Sequence, residues 1–139
     1  MAFDGFDPRV VAAFDRRRIQ QLMHNAGIIR NRLKIESAVR NVKAFLEIQN
    51  QFVNFHAYVW GFVGGQPRVN RRRSFGQVPA RTAQSDALSK DLKQRGFNFV
   101  GSTICYAFMQ AVGMVNDHLL TCFRHGCSDR EASRATKAI

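Results

Sequence analysis

Acidic residues are the scarce class in this chain. Asp and Glu together number 10 against 21 Lys and Arg, leaving a formal charge of +11 on 139 residues. A field that positive suits a polyanionic partner, with nucleic acid the first candidate and an anionic membrane surface the second. Long apolar runs are also missing. No stretch approaches the ~20 continuous apolar residues that a membrane span requires. The opening "MAFDGFDP" lacks the basic segment and apolar run of a signal peptide. Cysteine is sparse, and Cys105, Cys122 and Cys127 are odd in number, so they cannot all pair with one another. Without a secretion signal they read as cytosolic thiols or metal ligands, and the chain is expected to be cytoplasmic. No Ser–His–Asp order, glycine-rich nucleotide loop or nucleophile elbow occurs, so the pattern names no catalytic residue. The few carboxylates have local explanations. Glu36 pairs with Arg40 one helical turn on, and Asp117 suits a helix N-cap.

What the chain does have is enough apolar material, including 12 Phe, to build one domain without staples. Apolar positions recur at three and four, so the expected fold class is all-α. Residues 1–127 read as a single helical domain and 128–139 as a polar tail that frays. Asp7-Pro8 opens one helix and Asp15 the next, which ends at Asn25-Ala26-Gly27 with the glycine as its stop. Asn31 caps a longer helix with Ile35, Ala38, Val39, Val42, Phe45 and Leu46 on one face. "NQFVNFHAYVWGFV" reads as a further, central helix. "GGQPRVNRRRSFGQVPARTAQ" (64–84) is a long loop, often a functional feature; its Arg71–Arg73 run is read as solvated. Ser85 and Ser102 are the expected caps of two more helices, and "NDHLLTCF" gives a last short one.

The most informative stretch is "LSKDLKQRGFNFVGSTICYAFMQAVG" (88–113). Two amphipathic helices flank "GFNFVG", with Gly96 and Gly101 permitting a tight turn and Phe97, Phe99 and Val100 expected to anchor it. The second helix begins just after Gly101, so its unpaired N–H groups offer a place for a phosphate. An ordinary helical hairpin has the same pattern. Further on, His118 and Cys122 stand four apart, as two zinc ligands on one helix face would. His125 and Cys127 are nearby donors, though tightly spaced after Cys122. His24 and His56 carry no expected chemistry, and Cys105 reads as a buried small hydrophobe.

The segments 26–48 ("AGIIRNRLKIESAVRNVKAFLEI"), 58–70 ("YVWGFVGGQPRVN") and 85–122 resemble DNA-3-methyladenine glycosylase I, of the helix-hairpin-helix superfamily. The resemblance runs from "FDGFDP" to Cys122. It implies that Gly96, Phe97, Asn98, Phe99, Val100, Gly101 and Ser102 form a DNA-anchoring hairpin. It also implies that His118 and Cys122 are two of four ligands of a structural Zn2+. The implied reaction is hydrolysis of the N-glycosidic bond of 3-methyladenine in alkylated double-stranded DNA, by a monomer with no membrane role. In the family an N-terminal segment supplies the remaining Cys and His, the stacking aromatics and the pocket glutamate. The resemblance places that segment upstream of Met1, so it is expected to be missing here and no catalytic residue is expected in this chain. Glu36, Glu47 and Glu131 do not match the glutamate, and Trp60 matches a packing position. The chain is then a truncated product or misassigned start, a piece of a longer protein, or a shortened non-catalytic DNA binder. The first is preferred because the start cuts into a helical domain. Missing helices should also leave an exposed apolar face.

Overall fold

Local side-chain chemistry starts each of the first helices. The computed structural model describes residues 2–126. In it the Asp7 carboxylate accepts from the Arg9 and Val10 N–H groups at 2.8 and 3.4 Å. Pro8 takes the first helical position of α1 (Pro8–Ala12). Asp15 accepts from Arg18 N–H at 2.7 Å and opens α2 (Arg16–His24). Asn31 does the same through Lys34 for α3 (Arg32–Gln51). The end of α2 departs from expectation. Asn25 is its cap, and its carboxamide accepts from Gly27 N–H at 2.8 Å, so a side-chain turn replaces a left-handed glycine.

The described chain divides into two compact units, one of residues up to 58 with 91–100, the other of 59–90 with those from 101 on. The first is organised on α3, against which α1 and α2 pack. Its buried residues include Val11, Leu22, Ile35, Val39, Ala44 and Ile48. The seam on α3 is rotated from the predicted one: Ala38, Val42, Phe45 and Leu46 are only half-buried. Glu36 pairs with Arg32, not Arg40, at 3.5 Å. At the start of this unit the Phe3 and Phe6 rings stack 4.9 Å apart and Arg18 pairs with Asp4 at 3.0 Å.

The apolar stretch after α3 does not make one central helix. The chain breaks at Phe52–Asn54, Val53 is 91% exposed, and a short α4 (Phe55–Trp60) follows, started by Asn54 accepting from Ala57 N–H and ending in a 3-10 turn over Gly61–Val63. Asn54 accounts for the break, since its side chain competes for backbone donors and favours a cap over a helix interior.

The second unit contains β1 (Arg68–Val69), most of α5 (Ala83–Gln94), α6 (Ser102–Ala111) and β2 (Val115–Asn116). Arg68 and Val69 pair in parallel with Val115 and Asn116, and an isolated bridge continues the pairing from Arg72 to Leu119. A parallel pair needs a crossover, which α5 and α6 provide. The fold is therefore mostly helical, with a minimal two-strand pairing between the stretch read as a loop, which holds β1, and the start of the stretch read as a last short helix, which β2 runs into. Thr82, not Ser85, caps α5. Ser85 N–H donates to Thr82 Oγ1 and Thr82 N–H to Ser85 Oγ, a reciprocal capping arrangement. Ile104 and Phe108 on α6, with Val112 at its C-cap, form an exposed stripe at spacing four. No helix among the described residues is long and apolar enough to cross a membrane. Met1, from which the upstream pocket segment was reckoned, lies outside the described residues, as do Cys127, Glu131 and the predicted tail 128–139.

Candidate functional site

The α5 end is closed by backbone geometry. Gly96 has φ +90° and donates its N–H to Lys93 O, while Phe97 N–H reaches back to Leu92 O, each at 3.0 Å. This is a Schellman ending, which requires the left-handed conformation that glycine adopts without penalty. The next turn is held from α3. Asn98 N–H donates to Asn41 Oδ1 at 2.7 Å, and Asn41 Nδ2 donates to Asn98 O at 3.0 Å. Phe97 and Val100 are half-buried, as anchors should be. Phe99 is not an anchor: its φ is +58° and it is 58% exposed.

Of the two cations before the loop, only Lys93 is left exposed. Arg95 donates from Nε to Asp91 Oδ2 at 2.6 Å and from Nη1 to Gln51 Oε1 at 2.7 Å. Its guanidinium also lies 5.1 Å from the Tyr58 ring centroid and 5.2 Å from that of Phe52. Tyr58 Oη donates to the same Asp91 oxygen at 2.6 Å. Burial, then the bond to Asp91, pushes the Tyr58 phenol well above its ordinary range. Burial pushes the Asp91 carboxyl up, but the Tyr58 and Arg95 bonds outweigh it and hold the net pKa below the usual range.

In the second unit, Gly101 precedes α6 in an extended conformation with no side-chain cap. Ser102 is the first helical residue rather than the cap. Its hydroxyl donates to Asp86 Oδ1 and lies 2.9 Å from Ser85 Oγ. The first N–H groups of α6 are thus uncapped by side chains, and an anion there would share the helix end with the Asp86 carboxylate.

The stretch 115–122 is not a helix, and Asp117 is not an N-cap. Its carboxylate is a hub accepting from Asn70 Nδ2 at 2.9 Å, Arg72 Nε at 3.0 Å, Gln110 Nε2 at 3.1 Å and the Tyr106 hydroxyl. Burial pushes this carboxyl up, and the bonds from Tyr106, Arg72, Asn70 and Gln110 together hold it below its usual range. Burial followed by the bond to Asp117 raises the Tyr106 phenol to about 12. Arg72 is therefore a structural cation, unlike exposed Arg71 and Arg73. The backbone is strapped in parallel by Leu120 N–H donating to Arg72 O at 2.9 Å.

Although no helix presents them, His118 and Cys122 do meet, with Nδ1 and Sγ 3.7 Å apart. Turns, with Cys122 N–H donating to Leu119 O at 2.8 Å, replace the helical spacing. A tetrahedral zinc with Zn–S of about 2.3 Å and Zn–N of about 2.05 Å has an N···S edge of about 3.5 Å, so the pair fits two vertices. Both line a pocket of about 700 Å³ with Gln110, Asp117 and Arg124. His125 Nε2 is bonded to Asn70 O at 3.0 Å, and no group of three or more His, Cys, Asp or Glu among the described residues could hold a metal. Cys105 is buried, as expected. Asn41, Asn70, Arg72, Tyr106 and Gln110 carried no functional signal in the sequence. Asn41 joins its partner across 57 residues, and Arg72 reaches Asp117 across 45.

Residues 1–125 match the family model described as methyladenine glycosylase. The chain is 48% identical over 120 residues to DNA-3-methyladenine glycosylase 1 of Escherichia coli (strain K12), covering 86% of this chain and 64% of that one. It is similar to a crystal structure of 3-methyladenine DNA glycosylase I with a TM-score of 0.83 and 47% identity, covering 88% and 67% of the two chains. A variant of 3-methyladenine DNA glycosylase I in complex with 3-methyladenine gives a TM-score of 0.84 at 31% identity, covering 88% and 66%. The chain spans just under two thirds of the length of the curated relative it matches.

Proposed function

This chain belongs to the methyladenine glycosylase family, and on that premise we propose that it acts in base-excision repair. The proposed reaction is hydrolysis of the N-glycosidic bond of 3-methyladenine in alkylated double-stranded DNA, by a monomer, after the base is flipped out. The observation that supports it is the continuity of the match over residues 1–125, which takes in both the "GFNFVG" loop and the His118–Cys122 pair. The methylated base is cationic and leaves readily, and a damaged base costs less to unstack. The demand on these residues is grip. In the first unit residues 96–100 offer a glycine-closed backbone, and in the second the start of α6 after Gly101 separately offers uncapped helix N–H groups to phosphates; the excess of cations strengthens the attraction.

A structural zinc is proposed with His118 Nδ1 and Cys122 Sγ as two of its four donors. The family resemblance assigns the other two, a Cys and a His, to an N-terminal segment. Bound there, zinc supplies a cross-link and no reaction chemistry. The pair's separation supports this reading.

A second reading is a basic, non-catalytic helix-hairpin-helix grip on DNA. It is favoured by the engagement of both Asp91 and Asp117 in hydrogen-bonded ion pairs, which leaves neither as an obvious base. Incubation with methylated duplex DNA and chromatography of the released bases separates the two. Release of 3-methyladenine well above the spontaneous rate is expected for the enzyme. Duplex binding without release would favour the grip, and loss of both would reject each reading.

A further inference from the structure

Asn41 sits within α3 and contributes nothing to the buried seam of that helix, yet both ends of its carboxamide are used. Its Oδ1 accepts from Asn98 N–H at 2.7 Å and its Nδ2 donates to Asn98 O at 3.0 Å. A paired strand would satisfy the N–H and C=O of one residue in the same two-bond way. We propose that Asn41 is a positioning residue for DNA-backbone recognition, fixing the loop of residues 97–100 in its binding conformation. The inference rests on the reading of that loop as a DNA contact.

The loop needs such a hold. The Gly96 and Phe97 N–H groups close back onto α5, and one residue past Asn98 the chain places Phe99 at φ +58°. That conformation is strained for a non-glycine residue and persists only where the surroundings over-determine it. Asn41 supplies that determination from a rigid 20-residue helix. Among the described residues the Phe99 N–H, just past the clamp, has no hydrogen-bond partner, and Phe99 is 58% exposed. A neutral N–H held in place can bond a phosphate oxygen without ordering the loop on binding, which removes a cost of association. The clamp itself touches no DNA.

The full chain is titrated with an undamaged duplex across a range of salt, comparing wild type, Asn41→Ala, Asn41→Leu and Phe99→Asp. Alanine favours the helix and leucine keeps the volume, so one variant is read if the other fails to fold. The expected result for the Asn41 variants is affinity about tenfold weaker, the worth of one or two such bonds. The slope of log K against log salt should not change, because it counts phosphates neutralised by cations. Thermal unfolding should stay within a few degrees, and amide exchange should quicken at Asn98. Phe99→Asp places a like charge against phosphate and should weaken binding whatever Asn41 does. Wild-type affinity in the Asn41 variants with weakened Phe99→Asp overturns the role of Asn41 and leaves the loop reading intact. Wild-type affinity in Phe99→Asp overturns the loop reading and this inference with it. Weaker affinity with a flatter salt slope, or unfolding of both Asn41 variants, means that Asn41 serves the fold and not the loop.

Discussion

Tyr58, Asp91 and Arg95 form a cluster in which each group's protonation depends on the others. Asp91 is held below the usual carboxylate range despite the opposing pull of burial, because Tyr58 and Arg95 both donate to it. A carboxyl whose pKa is lower folded than unfolded stabilises the fold fully above its unfolded value of about 4, and that contribution fades as pH falls through the folded value. Asp91→Asn is therefore expected to be less stable than wild type in urea melts near pH 7. The gap should close below about pH 4; a gap that widens there would contradict the assignment. His118 supports a second prediction at this scale. Replacing it with alanine removes one of two donors 3.7 Å apart, so zinc retained by a zinc-loaded form against a colorimetric chelator should fall at least tenfold. Unaltered retention would place any metal elsewhere. The sequence singled out both donors but misjudged the residue just after β2. Asp117 was legible as a cap because Asp before a helix commonly is one, yet its four hydrogen-bond partners come from the turn after β1 and from α6.

At the scale of elements, helix starts were the most legible features and helix ends less so. Asp7, Asp15 and Asn31 each cap through an N–H two or three residues on, so the information is local. Gly96 shows a local stop as well, because its φ of +90° is where an L side chain is strained. Gly96→Ala is expected to cost about 1 kcal/mol in chemical denaturation and to weaken duplex binding in parallel. No change in either would mean that the α5 ending tolerates another backbone path. The stretch 115–122 was misread as helical for a non-local reason. Its spacing of apolar residues fits a helix, but Arg68–Asn70 and Arg72 supply backbone partners that a sequence pattern does not reveal.

At the scale of the molecule, the +11 charge makes a prediction independent of any single residue. Raising salt from 50 to 200 mM should weaken duplex binding roughly a hundredfold or more if four or more phosphates are neutralised. A flat response would mean that the positive surplus serves something other than DNA. Not every arginine should count toward that slope. Arg72 and Arg95 are already paired with Asp117 and Asp91, whereas Arg71, Arg73 and Lys93 are exposed. Ile104, Phe108 and Val112 are exposed apolar residues at spacing four in the second unit, and they add no charge to that field.

The helical class, the caps at Asp7, Asp15 and Asn31, the basic charge and the turn at Gly96 were determined by the sequence itself. Each depends on composition or on contacts a few residues long. The tertiary structure alone decided that Asn41 clamps Asn98, that Asp117 is a buried hub, and that Phe99 faces solvent. It also decided that His118 and Cys122 meet through strapped turns and not along a helix. Those outcomes depend on donors and acceptors brought together from 45 to 57 residues away, where satisfying a buried polar group outweighs local propensity.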